Sequence, residues 1–488
     1  MNKPIRTMAI FCMLLFIALL ANSTYLQYVD ADHLNSRSDN KRVRDAEFSR
    51  ERGAIVVGGT SVAKSRKTKD QYTYQRVYTQ PYEYAPLTGY FSYIYGRSGI
   101  EASQNDILSG SDPRLFVNRV VDMLGDSQPK GGSVTLTIDP KAQKAAFDGL
   151  AALGPNVQGA VVALQPSTGK VLAMVSSPTY DPNRLASHDF GAVQKAWKKL
   201  NANPDRPLLN RAIQEVYPPG STFKLVTAAA ALSSGQYTPT TKVKGGTSLD
   251  LPLTTTNLVN ENGSNCGGDP ITLTQALEVS CNVSFGSIGL KLGDDALRAQ
   301  ARKFGWGQTY LAGLNGQAAS QFPAHPDAPQ TALSAIGQFD VAATPLQMAV
   351  VAAGIADGGT VMRPYLVDEI RAPDFSVLDK TRPEVYRSNA VSASVARDLT
   401  QMMVEVVDRG TGTTAQIPGI KVAGKTGTAQ SSPSRPPYAW FVSFAPADNP
   451  KVAVAVLVED AGVARDAISG SGLAAPIAKK VMEAVIGK

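Results

Sequence analysis

The sequence predicts an α+β fold whose main part is a five-stranded antiparallel sheet flanked by helices. A small β-rich pedestal domain and one N-terminal transmembrane helix are predicted to precede it. Three observations carry this prediction: a charge-free apolar run near the N-terminus, short alternating strands after it, and apolar strands at both ends of the remaining chain with helical patterns between them. We therefore divide the chain into a cytoplasmic tail at 1-7, a transmembrane signal-anchor at 8-29, the pedestal at 30-154 and the α+β domain at 155-488.

Length and composition set the broad class. The chain has 488 residues, of which 43% are hydrophobic and 18% charged. This is ordinary globular usage, which excludes a disordered chain and a polytopic membrane protein. Lys and Arg outnumber Asp and Glu by 48 to 41, a net charge of +7 without a dense basic run. Attraction to anionic lipid or wall polymer accounts for this mild excess, so no nucleic-acid partner is expected.

The N-terminus has the pattern of a membrane anchor. Lys3 and Arg6 precede an uncharged apolar run at 8–21, and these positive charges are expected on the cytoplasmic side. The run is shorter than the about 20 residues that a span needs, so the span has to extend toward residue 29. A cleaved signal peptide is the alternative, but Leu19 and Ala21 fit its small-x-small pattern poorly. We predict an uncleaved, single-pass anchor in the cell membrane, with the later domains on the extracytoplasmic side.

Short strands and an aromatic-rich stretch mark the pedestal. Residues 52–59 have the pattern of a strand that ends in a Gly turn, and residues 131–139 alternate between apolar and polar side chains. Tyr and Phe recur through 72–95, which favours packing within the strands of a small domain over a stacking platform for sugars. A helical pattern begins at Pro140 and leads into the next domain.

The α+β domain has strands at its two sequence ends. A Pro/Gly turn joins the first two apolar strands into a β-hairpin. The five predicted strands span residues 159–164, 171–176, 421–430, 439–444 and 451–459. Helical patterns between them include residues 222–232, 273–278 and 346–356.

Cysteine and histidine are scarce, with three residues of each type. Cys12 lies in the apolar run and the histidines are scattered, so no metal site is expected. Cys266 and Cys281 lie beyond the membrane segment and can pair. A bridge between them would close a loop of 15 residues and stabilise the fold by about 3 kcal/mol. Two unpaired, partly buried thiols are the alternative.

Scarce histidine makes a Ser/His/Asp triad difficult to build, so a serine activated by lysine is the chemistry to look for. A hydroxyl and an amine three residues apart on a helix lie on one face and can share a proton. The pattern S-x-x-K is weak by itself, because it occurs five times. The copies are Ser38/Lys41, Ser61/Lys64, Ser127/Lys130, Ser167/Lys170 and Ser221/Lys224.

Ser221/Lys224 is the copy whose context favours catalysis. Residues 217–220 read Tyr-Pro-Pro-Gly and cannot be helical, whereas residues 221–232 form a strongly apolar helical pattern. Ser221 is therefore expected at a helix N-terminus, where free N–H groups and the helix dipole stabilise an oxyanion. Burial among alanines would lower the pKa of Lys224. An N-cap serine with a chance lysine is the alternative for this pair alone.

Two further motifs follow in the chain. Lys425-Thr426-Gly427 is the only K-[ST]-G sequence and stands at the end of an apolar strand, where Gly427 lets a substrate backbone approach closely. Ser280-Cys281-Asn282 supplies S-x-N directly after a helical stretch. Each motif is weak, but the ordered set is specific.

In this order, the three motifs resemble those of the penicillin-binding protein and serine β-lactamase superfamily. The flanking sequence over about 155–488 is similar to the transpeptidase domain, and Arg52-Gly53-x-Ile55 resembles the first pedestal motif of class B penicillin-binding proteins. The pedestal and the sequence after residue 158 are most similar to actinobacterial members. Gly337-Gln338-Phe339 departs from the family pattern, because many relatives have Gly-Gln-Gly there.

The resemblance implies residue roles. It makes Ser221 the acylated nucleophile and Lys224 its general base, with Ser280 and Lys425 completing the catalytic group. The implied substrate-binding residues are Asn282, Thr426, Gly427 and Thr428, and the implied oxyanion hole is formed by the backbone N–H groups of Ser221 and Thr428. No cofactor and no metal are implied.

The resemblance also implies a function and partners. It predicts a monofunctional class B D,D-transpeptidase that cross-links stem peptides of peptidoglycan during growth or division and is acylated by β-lactams. A SEDS-type glycan polymerase and other division or elongation proteins are the implied partners. The alternatives are a D,D-carboxypeptidase, a β-lactamase, and a non-catalytic β-lactam receptor or division scaffold. For a class A β-lactamase, the E-x-x-x-N copies stand before or across Ser280, which is the wrong order.

Overall fold

The computed structural model describes residues 3–36, 41–116, 130–311, 313–430 and 435–488. Two serines of the S-x-x-K copies, Ser38 and Ser127, lie outside these ranges.

The described helices and strands alternate irregularly along the chain. The helices are α1 (Lys3–Thr24), α2 (Ala31–Ser36), α3 (Lys41–Phe48), α4 (Pro81–Thr88), α5 (Gly99–Ser103), α6 (Asn105–Ser109), α7 (Pro140–Ala151), α8 (Phe190–Asn201), α9 (Lys224–Ser233), α10 (Leu273–Glu278), α11 (Asn282–Leu292), α12 (Asp294–Lys303), α13 (Ala328–Ser334), α14 (Pro345–Ala356), α15 (Ala393–Asp408) and α16 (Ala475–Ile486). The strands are β1 (Ile55–Val57), β2 (Thr60–Lys67), β3 (Tyr74–Tyr78), β4 (Phe91–Ser92), β5 (Gly96–Arg97), β6 (Ser133–Leu136), β7 (Gln158–Leu164), β8 (Val171–Ser177), β9 (Lys242–Val243), β10 (Ser248–Asp250), β11 (Asn257–Val259), β12 (Ile271–Thr272), β13 (Val361–Met362), β14 (Val367–Arg371), β15 (Val377–Lys380), β16 (Val385–Arg387), β17 (Ala423–Ala429), β18 (Tyr438–Ala445) and β19 (Val452–Asp460).

The predicted α+β fold and its five-stranded antiparallel sheet are confirmed. The strand order is β17-β18-β19-β7-β8, and each neighbouring pair is antiparallel. Along β7, Ala160 and Val162 pack into the core that contains α9 and α14, whereas Val161 and Ala163 pack against α7 and α16. Both faces of the strand are covered, which is why these strands read as nearly continuous apolar runs.

The pedestal contains a six-stranded sheet in the order β15-β14-β6-β1-β2-β3. Strand β6 pairs in parallel with β1 and antiparallel with β14. Strands β14 and β15 come from the late part of the chain, within the segment predicted as α+β domain. Conversely, α7 packs against α16, so closely that a Cβ on Gly149 would lie 2.9 Å from Ile477 Cγ2. Elements from each side of residue 154 therefore pack into the part of the protein that was predicted on the other side.

Arg52 belongs to a buried ion cluster that holds the pedestal together. Its Nε and the Nε of Arg76 each donate to the carboxylate of Glu101 at 2.6 Å, and Tyr78 Oη donates to the same group at 3.2 Å. Both guanidinium groups and Glu101 are buried. Since a buried carboxylate needs partners, the cluster explains the Arg at this position of the pedestal motif. Next to it, a Cβ on Gly53 would lie 1.7 Å from Gly132 O, so only glycine fits there.

The aromatic-rich stretch differs in part from its predicted strands. Residues 81–88 form helix α4, with a Pro in its first turn that suits a helix start. Rings from the stretch pack together with helix α3: Phe48 stacks on Phe91 with centroids 4.3 Å apart, and Tyr72 contacts both Phe48 and Tyr93. The aromatic side chains of this region thus form packing contacts between elements.

The N-terminal apolar segment is one exposed helix, Lys3–Val29, of 27 residues, and an 18-residue stretch within it has a mean hydropathy of 2.2. This length and composition suffice to cross a membrane. The helix makes no buried contacts with the rest of the described chain, which suggests a membrane anchor.

Candidate active site

Ser221 lies in a tight turn at the head of an apolar helix. Residues Gly220–Phe223 form a 3₁₀ turn, and α9 continues from Lys224. Gly220 has φ +52°, and a Cβ there would lie 2.9 Å from Ala429 Cβ and 3.0 Å from Thr428 O. Glycine is therefore required both by the backbone conformation and by the close approach of β17. The serine is thereby held beside the K-[ST]-G strand.

The segment before Ser221 is fixed by backbone hydrogen bonds. Tyr217 and Ala343 exchange N–H···O bonds of 2.9 and 2.8 Å, and Gly220 N donates to Gly337 O at 2.9 Å. Trp440 Nε1 on β18 donates to Pro218 O at 3.0 Å. Backbone groups in this segment have no partners within a helix or strand, because the two prolines and the turn prevent regular structure there. These hydrogen bonds supply the missing partners.

Lys224 is fully buried and reaches across to the S-x-N motif. Its Nζ donates to Ser280 O at 2.6 Å and to Asn282 Oδ1 at 2.7 Å. The distance from Lys224 Nζ to Ser280 Oγ is 3.2 Å. The Phe285 ring covers the amine on one side, with its centroid 5.7 Å from Nζ. The two motifs are therefore joined through one amine.

Ser280 occupies a position where glycine is usual. Cys281 N donates to Ala276 O at 2.8 Å and Ser280 N to Leu277 O at 3.2 Å, which is the Schellman pattern at the end of α10. Ser280 takes the left-handed conformation of this pattern, with φ +61°. Non-glycine residues in that region carry strain and concentrate at functional sites. A hydroxyl retained at this cost points to a role for the hydroxyl.

A loop at 244–268 is tied to the same turn. Cys266 and Cys281 form a disulfide. Asn260 Oδ1 accepts from Val283 N at 3.1 Å in the first turn of α11, and Asn260 Nδ2 donates to Gly246 O and Ser264 O. Sequence reasoning missed Asn260, because nothing in its neighbourhood marks a residue whose partners lie in three separate segments.

Removing the disulfide should destabilise the protein. Replacing both Cys266 and Cys281 by serine is expected to lower the free energy of unfolding by about 3 kcal/mol, because the bridge closes a loop of 15 residues in the unfolded chain. Chemical denaturation of the full chain in detergent measures it, with Cys12→Ser as the control. An unfolding free energy equal to that of the control would contradict this prediction.

The K-[ST]-G motif lies on β17, at one end of the strand order. Lys425 is fully buried, and its Nζ donates to Thr426 O at 3.0 Å. A Cβ on Gly427 would lie 2.9 Å from Thr222 Cγ2, next to Ser221, so glycine is needed for the close packing of the strand on the turn. The hydroxyls of Thr426 and Thr411 are 2.6 Å apart.

Two buried lysines give the site its electrostatic character. Burial lowers the pKa of Lys224 well below the usual range, and the positive charge of Lys425 lowers it further. Burial also lowers the pKa of Lys425, to about 7. The negative charge of Glu261, in the loop tied to α11, opposes both shifts. A neutral amine at Lys224 is the form that can accept a proton.

The loop that departs from the family pattern keeps a glycine-like backbone. Phe339 has φ +59°, and its side chain is exposed. A Cβ on Gly337 would lie 2.2 Å from Gly220 O, so this first position allows only glycine. With its amide oriented to suit both groups, Gln338 donates to Gln430 O and accepts from Gln430 N at 3.3 Å each. The loop thus supports the end of β17 despite the substitution.

The structure brings the predicted site residues together in one place. Ser221 and Lys224 are one turn apart, Lys224 contacts the S-x-N motif, and the Ser221 turn packs on the K-[ST]-G strand. Ser61/Lys64 lies within β2 and Ser167/Lys170 in the hairpin before β8, both without a helix that would place hydroxyl and amine on one face. Among the described residues, no group of three or more His, Cys, Asp or Glu side chains could hold a metal ion.

Comparisons with known proteins found similar sequences and similar folds. Residues 159–483 match the model of the penicillin-binding protein transpeptidase domain, and residues 52–134 match that of the penicillin-binding protein A dimerisation domain. The chain is 46% identical to peptidoglycan D,D-transpeptidase PbpA of Mycolicibacterium smegmatis and 44% identical to that of Mycobacterium tuberculosis, each over 100% of this chain and 99% of the relative. A solved ceftriaxone acyl-enzyme complex of penicillin-binding protein A from M. tuberculosis superposes with a TM-score of 0.87, at 44% identity, over 91% of this chain and 100% of that chain.

Proposed function

Because this chain belongs to the class B penicillin-binding protein transpeptidases, we propose that Ser221 is its acylated nucleophile and that Lys224 is the general base. The protein is a serine-type peptidoglycan D,D-transpeptidase that acts in cell-wall synthesis and forms acyl-enzymes with β-lactams. The assignment of each step to a residue of this chain is the proposal that follows.

The observation that carries the assignment is the hydrogen bonding of Lys224. An uncharged amine has two N–H donors and one lone pair. Ser280 O and Asn282 Oδ1, at 2.6 and 2.7 Å, accept two hydrogens. Ser280 Oγ, at 3.2 Å, is a third neighbour of Nζ. The lone pair of the uncharged amine is proposed to take the proton from Ser221, one turn before it in the chain. Burial lowers the pKa of Lys224 well below its usual range, which favours the uncharged form that can act as a base.

Acylation then proceeds in balanced steps. Lys224 Nζ takes the hydroxyl proton of Ser221 as Oγ attacks the carbonyl carbon of the penultimate D-Ala. Backbone N–H groups of Ser221 and Thr428 stabilise the oxyanion of the tetrahedral intermediate. The proton passes from Lys224 to Ser280 Oγ, 3.2 Å away, while Ser280 gives its own proton to the departing D-Ala amine. The C–N bond breaks and an ester to Ser221 remains.

The second half reverses the proton path with a new nucleophile. An amine from a neighbouring stem peptide attacks the ester carbonyl, and its proton returns through the same groups to Ser221 Oγ. The cross-link is the new amide bond. A β-lactam follows only the first half, because its leaving group stays attached and the ester persists.

The K-[ST]-G strand is proposed to hold the substrate. Lys425 supplies a cation beside the terminal carboxylate of the donor peptide, and Thr426 and Thr428 supply hydroxyl donors. Gly427 keeps β17 packed closely on the Ser221 turn, and Asn282 hydrogen-bonds the donor peptide from the opposite side of the cleft.

The position of the acyl adduct tests the proposal. Labelling of the full chain with a fluorescent penicillin, followed by peptide mass mapping, is expected to place one adduct on the peptide that contains Ser221. An adduct on another serine would contradict the assignment. The lifetime of the adduct separates the alternatives: release over hours is expected for a penicillin-binding protein, whereas release within minutes would favour a β-lactamase. With a stem pentapeptide and no acceptor amine, dominant hydrolysis would favour a D,D-carboxypeptidase.

We also propose the domain division and the membrane topology. The tail at 1–7 lies in the cytoplasm, the anchor at 8–29 spans the cell membrane once, and the parts at 30–154 and 155–488 lie outside, where peptidoglycan is. Lys3 and Arg6 before the apolar helix support this orientation. A class B transpeptidase needs a partner that supplies glycan strands, and a SEDS-type polymerase would fill that role in division or elongation.

A further inference from the structure

One loop contacts both the S-x-N turn and the K-[ST]-G strand. We name residues 409–412 (Arg-Gly-Thr-Gly), which follow α15, the clamp loop. At its centre, Thr411 Oγ1 lies 2.6 Å from Thr426 Oγ1 on β17, and Thr411 N donates to Glu278 O, the last residue of α10, at 3.3 Å. The clamp loop therefore connects the two walls on either side of Lys224.

The contact with α10 is close and fixed on both sides of Thr411. Arg409 Nε forms ion pairs with Glu278 Oε2 at 3.3 Å and with Glu405 Oε2 at 3.1 Å. A Cβ on Gly410 would lie 2.5 Å from Glu278 O, so the loop can pack against this carbonyl only with glycine there. Glu278 stands two residues before Ser280, in the turn that orients the S-x-N motif. The position of Thr411 is thus set by the same helix end.

The two hydroxyls carry two protons, and their mutual hydrogen bond uses one of them. The other proton is left for an acceptor outside the pair. If Thr411 donates, Thr426 keeps its proton free; if Thr426 donates, the free proton is on Thr411. In the first arrangement, the hydroxyl of Thr426 keeps its proton for the place where the proposed function puts the terminal carboxylate of the donor peptide. Thr426 is mostly buried, at 8% exposure, so the neighbouring hydroxyl restricts how its own can turn.

We propose that Thr411 is a positioning residue for the carboxylate site: its hydroxyl orients that of Thr426 toward the carboxylate of a stem peptide or β-lactam. The inference rests on the proposed function, because it adds a residue to the same site. A purely structural role of Thr411 would affect all acylating agents alike. The proposed role affects only ligands that carry the carboxylate and leaves other acylating agents unaffected.

The test compares four variants of the full chain with two probes. Thr411→Val removes the hydroxyl and keeps the shape, Thr411→Ser keeps the hydroxyl, Thr426→Val removes its partner, and Thr413→Val is a matched control at an exposed threonine of the same segment. The probes are a fluorescent penicillin and its methyl ester, which lacks the free carboxylate. The second-order rate constant of acylation is measured for each pair, and thermal unfolding shows that each variant is folded.

We expect Thr411→Val to slow acylation by the free acid about 10-fold, the size of a hydrogen bond to a charged group. The methyl ester should react at the wild-type ester rate, and Thr411→Ser should restore the rate with the acid. The double variant Thr411→Val/Thr426→Val should be no slower than Thr426→Val alone, because the two hydroxyls act as one unit.

Several outcomes would overturn the inference. These are an unchanged rate in Thr411→Val, an equal loss with acid and ester, or fully additive losses in the double variant. If wild-type protein itself carries no label on Ser221, the proposed function fails instead, and the inference falls with it. The wild-type label therefore distinguishes the two failures.

Discussion

Ser221→Ala is expected to abolish acylation by penicillin. Without Oγ there is no atom to form the ester, and no other described serine combines a helix N-terminus with a lysine one turn later. Labelling by a fluorescent penicillin should fall to background, a loss of at least about 10³-fold, as in other enzymes whose covalent nucleophile is removed. Gel fluorescence with peptide mass mapping measures the loss.

The control for this prediction lies on the same helix. Ser233→Ala changes an exposed serine at the C-terminal end of α9 and should leave labelling at the wild-type level. Since Ser221→Ala removes a single oxygen from a turn held by backbone bonds of its neighbours, its melting temperature should stay close to that of wild type. Label retained in a folded Ser221→Ala protein would transfer the nucleophile to another residue.

Lys224→Met should slow acylation by about 10² or more, the usual contribution of a general base. Methionine keeps an unbranched apolar stem in the buried site and removes the amine that bonds Ser280 O and Asn282 Oδ1. Stopped-flow labelling with a fluorescent penicillin gives the rate constant, and Lys291→Met, at an exposed lysine near the end of α11, is the matched control. A wild-type rate in Lys224→Met would assign proton transfer to a different group.

Lys224 and Lys425 together are expected to set the pH dependence of acylation. Lys224 must be uncharged to accept the proton, so the rate should rise with pH through its lowered pKa and level off well below the pH at which an ordinary lysine titrates. Lys425 must be charged to attract the carboxylate, so the rate should fall above its pKa of about 7. The second-order rate constant reports the free enzyme and should follow a bell-shaped profile. Lys425→Arg, which keeps the charge, should remove the falling limb; a limb that persists would assign it to another group.

Much of the fold could be predicted from local sequence patterns. The five strands of the main sheet were recognisable because both of their faces are buried, which leaves long apolar runs, and α14 begins and ends within a residue of its predicted bounds. Helix α4 was missed because its tyrosines and prolines are typical of strands and turns. The placement of β14 and β15 in the pedestal sheet was missed as well. Strand β14 pairs with β6, which is more than two hundred residues away in the chain, and no local pattern specifies such a pairing.

The amino-acid sequence was enough to predict the chemistry of the site. It restricted the nucleophile to a serine with a lysine, because histidine is scarce, and it placed Ser221 at the head of an apolar helix, because two prolines and a glycine precede it. How the three motifs meet depends on packing between distant parts of the chain. The contact of Lys224 with Asn282, the left-handed turn at Ser280 and the hydroxyl pair of Thr411 and Thr426 all arise from packing between elements far apart in sequence. The distances between these groups and the pKa values of the two buried lysines depend on burial and on neighbouring charges. Both exist only once the sheet and its helices have assembled.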